Sequence, residues 1–363
     1  MNEPSMKPLP LPPACEDIAR SVDAELDAFL DEQRAETEAR APGVGRLFDE
    51  LARIVASGGK RLRPVFCCLG HAAAGGEIDR PILRAAASLE LLHTFAIVHD
   101  DVMDHSRVRR GSPATWVQLA DDHRREGFPG DPDAFGLSGA VLEGDLALML
   151  ADRGLLESGF PTDRLLPAIA RYDRMRTEVV AGQFLDVLAA HRGRLTEGEA
   201  RRVATLKSGG YTVEGPLHIG ALLGDGPAAL LDALSRYGVP LGEAFQLRDD
   251  LLGVFGDPEV TGKDRDSDLR EGKRTLLAAR ALAAASGEDR RLLEDRFGHP
   301  GLVPDELDRM RAIIEATGAR ASTQALVDEL AARARVALEE PAIPREVAAL
   351  LDGLVDTVAL RVS

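Results

Sequence analysis

The stretch Glu90-Leu-Leu-His-Thr-Phe-Ala-Ile-Val-His-Asp-Asp-Val-Met-Asp104 constrains this chain more than any other. Its apolar part contains neither Gly nor Pro and reads as a buried helix entered from about residue 81. At about 100° per residue, His93, Asp100 and Asp104 fall on one stripe of that helix, and Asp101 lies about 100° away from it. Three carboxylates therefore crowd the last turn, where a helix already carries partial negative charge and like charges four residues apart repel. A cation belongs there. Hard oxygen ligands at i, i+1 and i+4 suit Mg²⁺, which keeps several waters and completes its shell with phosphate oxygens. A solvated acidic helix end is the plainer alternative, and the apolar run in front with Arg109-Arg110 behind argues against it. His99 and His105 flank the motif, but nothing adds the soft ligands of a transition-metal site.

Composition narrows the class. The 363 residues are 45% hydrophobic and 4% aromatic, enough for a large core and biased toward helix over sheet. A formal net charge of −16 argues against a nucleic-acid or anionic-membrane surface, so any phosphate ligand must be met by locally gathered cations. Cys15, Cys67 and Cys68 form neither a disulfide framework nor a zinc spacing, which makes a reducing cytoplasm the default. No signal peptide, no apolar run of membrane-spanning length and hence no stable membrane insertion is expected.

Along the chain, residues 1–13 are Pro-rich and expected to be a disordered arm, ahead of a single all-α domain over 14–363. Helices are expected over about 16–40 and 45–57. Gly58-Gly59-Lys60-Arg61-Leu62-Arg63-Pro64 then reads as an anion-binding turn at a helix start, with a solvated turn carrying scattered cations as the alternative. A long polar surface loop is expected over about 121–136, followed by helices over 138–158 and 163–190. The second helix carries Gln183 and Asp186, either supports for ligands or satisfied core groups, with the second reading preferred. Thr196 and Glu199 form a capping box on the helix leading to Lys207-Ser208, and Gly209-Gly210 predicts a break beside that lysine. A second acidic helix, starting near residue 228 and kinked at Pro240, places Glu243, Gln246 and Asp250 on one face with Asp249 adjoining. A basic, Gly-containing loop follows, with Lys263 and Lys273. Asp264, Asp266 and Asp268 alternate like a calcium loop, but Leu269 and Thr275 stand where that loop needs Gly and Glu.

The ordered set GGKRLRP, ELLHTFAIVHDDVMD, RRG, GQFLD, KSGG, FQLRDD, TGK and EGKR resembles the trans-type isoprenyl diphosphate synthases of the polyprenyl synthetase family, over about residues 58–274. The resemblance implies an all-α fold, a single bundle of long helices around a central cavity with the two Asp motifs facing each other at its mouth, and a homodimer. It also implies the roles of residues. Asp100, Asp101, Asp104, Asp249 and Asp250 would be the catalytic carboxylates, with Asp100, Asp104 and Asp249 as Mg²⁺ ligands. Arg109, Lys207, Lys263 and Lys273 would hold an allylic diphosphate, with Ser208 and Gln246 hydrogen-bonding nearby. Lys60, Arg63, His93 and Arg110 would hold isopentenyl diphosphate.

The sequence departs from that pattern at Gly253, which stands where the second motif commonly has its third Asp; Asp257 is a conceivable substitute. Bulky residues just ahead of the first motif limit product length in this family. Here Phe95 lies five before Asp100 and is followed by the small Ala96, a pattern that resembles synthases of the C20 product, geranylgeranyl diphosphate. Farnesyl or longer products are the alternatives. Ideal helix geometry places Ala96 nearly in line with Asp100 and Phe95 about 140° off that line, so Phe95 also reads as packing core. A class I terpene cyclase would need no second diphosphate site, and a non-catalytic subunit of a heteromeric synthase would lose a motif.

Overall fold

The structure, a computed structural model, describes residues 10–192, 196–256, 266–299 and 301–359. Among them the chain is helical except for one two-stranded hairpin. The first half comprises α1 (Pro13–Arg40), α2 (Gly45–Ala56), α3 (Leu62–Ala73), α4 (Arg80–Met103), the strands β1 (Val108–Arg109) and β2 (Ser112–Pro113), α5 (Thr115–Glu126), α6 (Pro132–Leu156) and α7 (Thr162–Arg192). Then come α8 (Glu197–Ala204), a π-helical segment (Thr205–Glu214), α9 (Gly215–Leu223) and α10 (Ala228–Phe255). The short α11 (Ser267–Glu271) leads to α12 (Leu276–Ala284), α13 (Gly287–Arg296), α14 (Pro304–Ala316), α15 (Ala319–Ala337) and α16 (Arg345–Ala359).

Helix α4 is the centre. Asp79 caps it by accepting from the Ile82 amide at 3.4 Å, Pro81 opens it with its φ already helical, and His105, at φ 52°, ends it. Residues 85–92 are buried throughout, because α1, α3 and α6 surround them. That burial corrects one expectation. Both α4 and α6 are long and apolar enough to cross a membrane by composition, yet 67% of the apolar window of α4 lies inside the protein. Its hydrophobicity reflects a core position, not a lipid one. Helix α6 is 39% buried over its window, and Val141, Leu142, Met149 and Leu156 remain exposed on it.

Two further expectations change. The loop expected over 121–136 is short, since α5 runs to Glu126 and stops at Gly127 in the left-handed conformation, and Asp131 caps α6. The polar composition of α5 hid a buried face of Trp116, Val117, Leu119, Ala120 and His123. The expected N-terminal arm is docked at its end: Leu11 is buried, and the Pro10 carbonyl accepts from the Thr357 hydroxyl at 2.8 Å. Residues 1–9 lie outside the described residues. One hydrophobic core runs from Leu11 to Ala359, so both ends of the described chain join the same body.

The break expected at Gly209-Gly210 is a π-helical segment inside a continuous helical path. Glycines bring three backbones together around it. A Cβ on Gly182 of α7 would lie 2.5 Å from the Lys207 amide, and one on Gly242 of α10 would lie 2.2 Å from the Gly209 carbonyl. The segment carrying Lys207 is thereby clamped between α7 and α10.

One buried acid has no such support. Glu143 on α6 is fully buried, neither carboxylate oxygen has a hydrogen-bond partner among the described residues, and burial, reinforced by nearby Glu50 and only partly offset by Arg53, pushes its pKa from 4.5 to about 9. A carboxyl whose folded pKa is raised stabilises the fold fully below its unfolded pKa and loses that contribution as pH rises toward the folded value. Glu143→Gln, which mimics the protonated acid, should therefore melt a few degrees above the native protein at pH 8.5, with the gap closing toward pH 5. Thermal denaturation across that range checks it; a gap independent of pH would mean that Glu143 is not protonated in the fold.

Candidate active site

The C-terminal turn of α4 opens into a cavity of about 690 Å³ bounded mainly by α4, α7, the π-helical segment and α10. One end is charged. Asp100 accepts from Gln183 at 2.9 Å and from Lys207 at 3.2 Å, and Lys207 also contacts Asp186 at 2.7 Å. Lys273 lies 3.5 Å from Asp104, 3.7 Å from Asp268 and 2.9 Å from Glu271. Burial works against ionising Asp100, but Lys207, Lys273 and Arg109 outweigh it and hold its pKa at about 2. Asp104 goes the other way, to about 6, through burial and repulsion by Asp100.

Arg109 and Arg110 are aimed by the β1–β2 hairpin. Its two central residues, Arg110 and Gly111, have φ of 52° and 75°, the left-handed pair that a tight hairpin needs. Arg109 donates through Nε to Asp101 at 3.0 Å and through Nη2 to the same carboxylate, and lies 3.8 Å from Asp100. Asp101 is 3% exposed and does not line the cavity. The middle carboxylate of the first motif, Asp101, is thus an anchor for Arg109, because the 100° step from Asp100 turns it into the protein.

The turn over residues 58–64 divides its cations. Arg61 adopts φ 49° and is buried, donating to Glu90 and Asp23 at 2.7 Å each and to the Val55 carbonyl at 2.5 Å. This fixed guanidinium splays its neighbours. Arg63 faces the cavity, bonds Thr212 at 3.0 Å and lies 4.1 Å over the Tyr211 ring. Lys60 instead donates to the Thr357 carbonyl at 3.4 Å and is absent from the cavity lining, which departs from its expected place beside Arg63. Burial and the adjacent Arg248 lower its pKa to about 8. His93 faces the cavity with its Nδ1 2.8 Å from the Tyr211 hydroxyl; burial, and then Arg63 and Arg110, push its pKa well down, so it is neutral. Arg110 lines the same region and donates to the Gly58 carbonyl.

Helix α10 presents Gln246, Asp249 and Asp250 to the cavity, with Ser208 beside them. Gln246 donates to Asp250 at 2.7 Å, and burial pushes Asp250 up to about 8, with Asp268, Asp249 and Asp186 adding repulsion against the Gln246 bond. Lys263 and Asp257 lie outside the described residues. The other end of the cavity is apolar. Phe95 and Ala96 both line it, joined by Val179, Val180, Phe184 and Val203, and Phe95 meets the His99 ring edge to face at 4.8 Å.

Sequence reading left the place of several residues here open. Gln183 and Asp186 belong to the charged end rather than to the core, and a contact across 83 residues cannot be read from local spacing. Tyr211 organises Arg63 and His93, and no motif singled it out.

Comparison with known proteins bears on the family and the fold. The polyprenyl synthetase family model matches residues 46–314. A solved structure of a geranylgeranyl pyrophosphate synthase from Corynebacterium glutamicum, complexed with isoprenyl diphosphate and magnesium, superposes with a TM-score of 0.90 at 38% identity, over 94% of this chain and 98% of that one. A geranylfarnesyl diphosphate synthase of Aeropyrum pernix is 34% identical over 87% of this chain and 95% of its own length. A (2E,6E)-farnesyl diphosphate synthase of Mycobacterium bovis is 35% identical over 72% and 68%. With three quarters of its length matched and the same fold as a solved relative, the chain belongs to the polyprenyl synthetase family of trans-prenyltransferases.

Proposed function

We propose that the chain is a Mg²⁺-dependent geranylgeranyl diphosphate synthase, condensing isopentenyl diphosphate head to tail with allylic diphosphates up to C20. The observation that carries this reading is a single cavity with cations and carboxylates at one end and an apolar wall containing Phe95 at the other. The Corynebacterium glutamicum structure, named for the same product, supports it.

The residues fit the metal by donor chemistry. Among the described residues no three His, Cys, Asp or Glu side chains converge as a preformed metal centre. Asp100, Asp249 and Asp250 nonetheless line one cavity with Asp104 beside it, all hard oxygens. That suits an ion held by one or two carboxylates, with waters and substrate phosphate oxygens completing its shell. When bound, Mg²⁺ would offset the charge that develops on the leaving diphosphate.

Lys207, Lys273 and Arg109 hold the allylic diphosphate, whose C1–O bond breaks with the electron pair leaving on oxygen. Arg63, Arg110 and neutral His93 hold isopentenyl diphosphate across the cavity. Its double bond supplies the electron pair of the new bond to C1, and loss of a proton to an oxygen of the departed diphosphate restores an alkene. No side chain acts as nucleophile. The growing chain extends along the apolar wall, away from water. We further propose a cytoplasmic homodimer, on three buried free thiols and the exposed apolar residues of α6.

Incubating the purified protein with labelled isopentenyl diphosphate, each allylic starter and Mg²⁺, then sizing the dephosphorylated products, tests the reading. C20 is the expected main product, and a C15 or longer main product replaces it with the neighbouring specificity. Asp100→Ala should lower turnover by orders of magnitude while the protein stays folded, since Asp100 joins Lys207, Gln183 and the metal face. Near-native turnover in saturating Mg²⁺ would remove Asp100 from the metal site.

The splayed turn gives a sharper test. Arg63→Ala should raise KM for isopentenyl diphosphate roughly tenfold or more, with a much smaller change for the allylic starter, because a charge-assisted contact is lost. Lys60→Ala should move that KM less than Arg63→Ala. Phe95→Ala should open the apolar wall and shift the main product beyond C20, read from the same product sizing; an unchanged distribution from a folded variant would place the length-limiting wall on α7 instead.

A further inference from the structure

A hairpin with two residues in each strand is too short to hold its own shape, so the position of Arg109 is set from outside β1 and β2. Asp104 closes α4, His105 turns through φ 52°, and only Ser106 and Arg107 separate that turn from β1. One side chain holds both of them. Trp116, in the first turn of α5, donates from its indole Nε1 to the Ser106 carbonyl at 2.7 Å, and the Arg107 guanidinium lies 4.9 Å from its ring centroid. The Ser106 amide in turn donates to the Asp101 carbonyl at 3.0 Å, and the Ala114 amide closes the base of the hairpin on the Arg107 carbonyl at 3.0 Å. The indole is a rigid reference for this link. It is 5% exposed and packs in a small core of its own with Ile54 of α2, Val98 of α4, Val117 of α5 and Ala140 of α6.

We propose that Trp116 is a positioning residue for Arg109: its indole N–H fixes the link between the first acidic motif and the hairpin, and thereby the place of the guanidinium that meets the allylic diphosphate. Trp116 does not line the cavity, so it acts only through the residues it holds. Arg109 is the residue most exposed to an error in that link, because β1 follows it directly and the guanidinium must reach Asp101 and Asp100 together. Arg110 depends on it less, since it is anchored separately on the Gly58 carbonyl at the end of α2. A displacement of about 1 Å at a charged contact is enough to cost a large factor in binding or rate. Without the N–H, the Ser106 carbonyl loses its partner and the link is free to shift.

The inference rests on the assignment of Arg109 to the allylic diphosphate above, and a double-mutant cycle separates the two. Trp116 is the only tryptophan of the chain, so biosynthetic replacement of tryptophan by benzothienylalanine removes this one N–H and keeps the ring and its packing. That protein, Trp116→Phe, Arg109→Ala and Arg109→Ala/Trp116→Phe are compared with the native chain by calorimetric binding of geranyl thiodiphosphate, an unreactive allylic analogue, and of isopentenyl diphosphate, each with Mg²⁺. The benzothienylalanine protein and Trp116→Phe should bind the allylic analogue about fivefold more weakly or worse, and isopentenyl diphosphate within about twofold of native. In the Arg109→Ala background, Trp116→Phe should change the allylic affinity by less than about twofold, since its route is already cut. Native allylic affinity in the benzothienylalanine protein, equal losses for both ligands, or a full Trp116→Phe effect on top of Arg109→Ala overturns the positioning role. Native allylic affinity in Arg109→Ala overturns the assignment of Arg109 itself.

Discussion

Carboxylates gathered at the negative end of a buried helix cannot stand alone, and the rest of the site is arranged to answer that charge. Asp100 and Asp104 end α4 where its carbonyls already point outward and where burial opposes ionisation. Three cations reach them from three different places: Arg109 from the hairpin, Lys207 from the π-helical segment and Lys273 from the turn after α11. The groups that hold these cations are themselves acids, Asp101 for Arg109 and Asp186 for Lys207. A net of alternating charges results, in which a further anion such as a diphosphate is met by lysines and a further divalent cation by carboxylates.

The net needs an accurate scaffold, and small residues supply it. Gly182 and Gly242 let α7 and α10 press against the backbone of the π-helical segment, so Lys207 is placed by main-chain contact rather than by its own flexible stem. Away from the charged mouth the same helices line the cavity with Phe95, Val179, Val180 and Phe184. A polar end that binds and ionises and an apolar end that shelters hydrocarbon are what chain elongation on a diphosphate handle requires.

Much of this was legible beforehand because helix periodicity is a local property. The burial of α4, the Asp100–Asp104 stripe, the capping box at Thr196 and the face of α10 with Gln246 and Asp250 all follow from spacing at 3.6 residues per turn. Where the structure departs from local expectation, contacts far off in sequence decide. Lys60 and Arg63 sit three apart in one basic turn, yet Arg61, locked to Asp23, Glu90 and the Val55 carbonyl, sends them to different surroundings. The polar stretch after residue 121 continues a helix because one face of α5 is covered by α6. The apolar runs of α4 and α6 satisfy a membrane-spanning composition, and only packing shows that α4 is a core element.

The sequence by itself determined the helical class, the two acidic helix ends, the cations available to them and the family to which their order belongs. Those are properties of residue type and spacing, which the chain carries whatever it folds against. The tertiary structure decided which acids face the cavity and which anchor a cation, and that Gln183, Asp186 and Tyr211 belong to the site. The reason is that a side chain's role depends on the potential and the space around it, and both are set by groups dozens to hundreds of residues away in the chain.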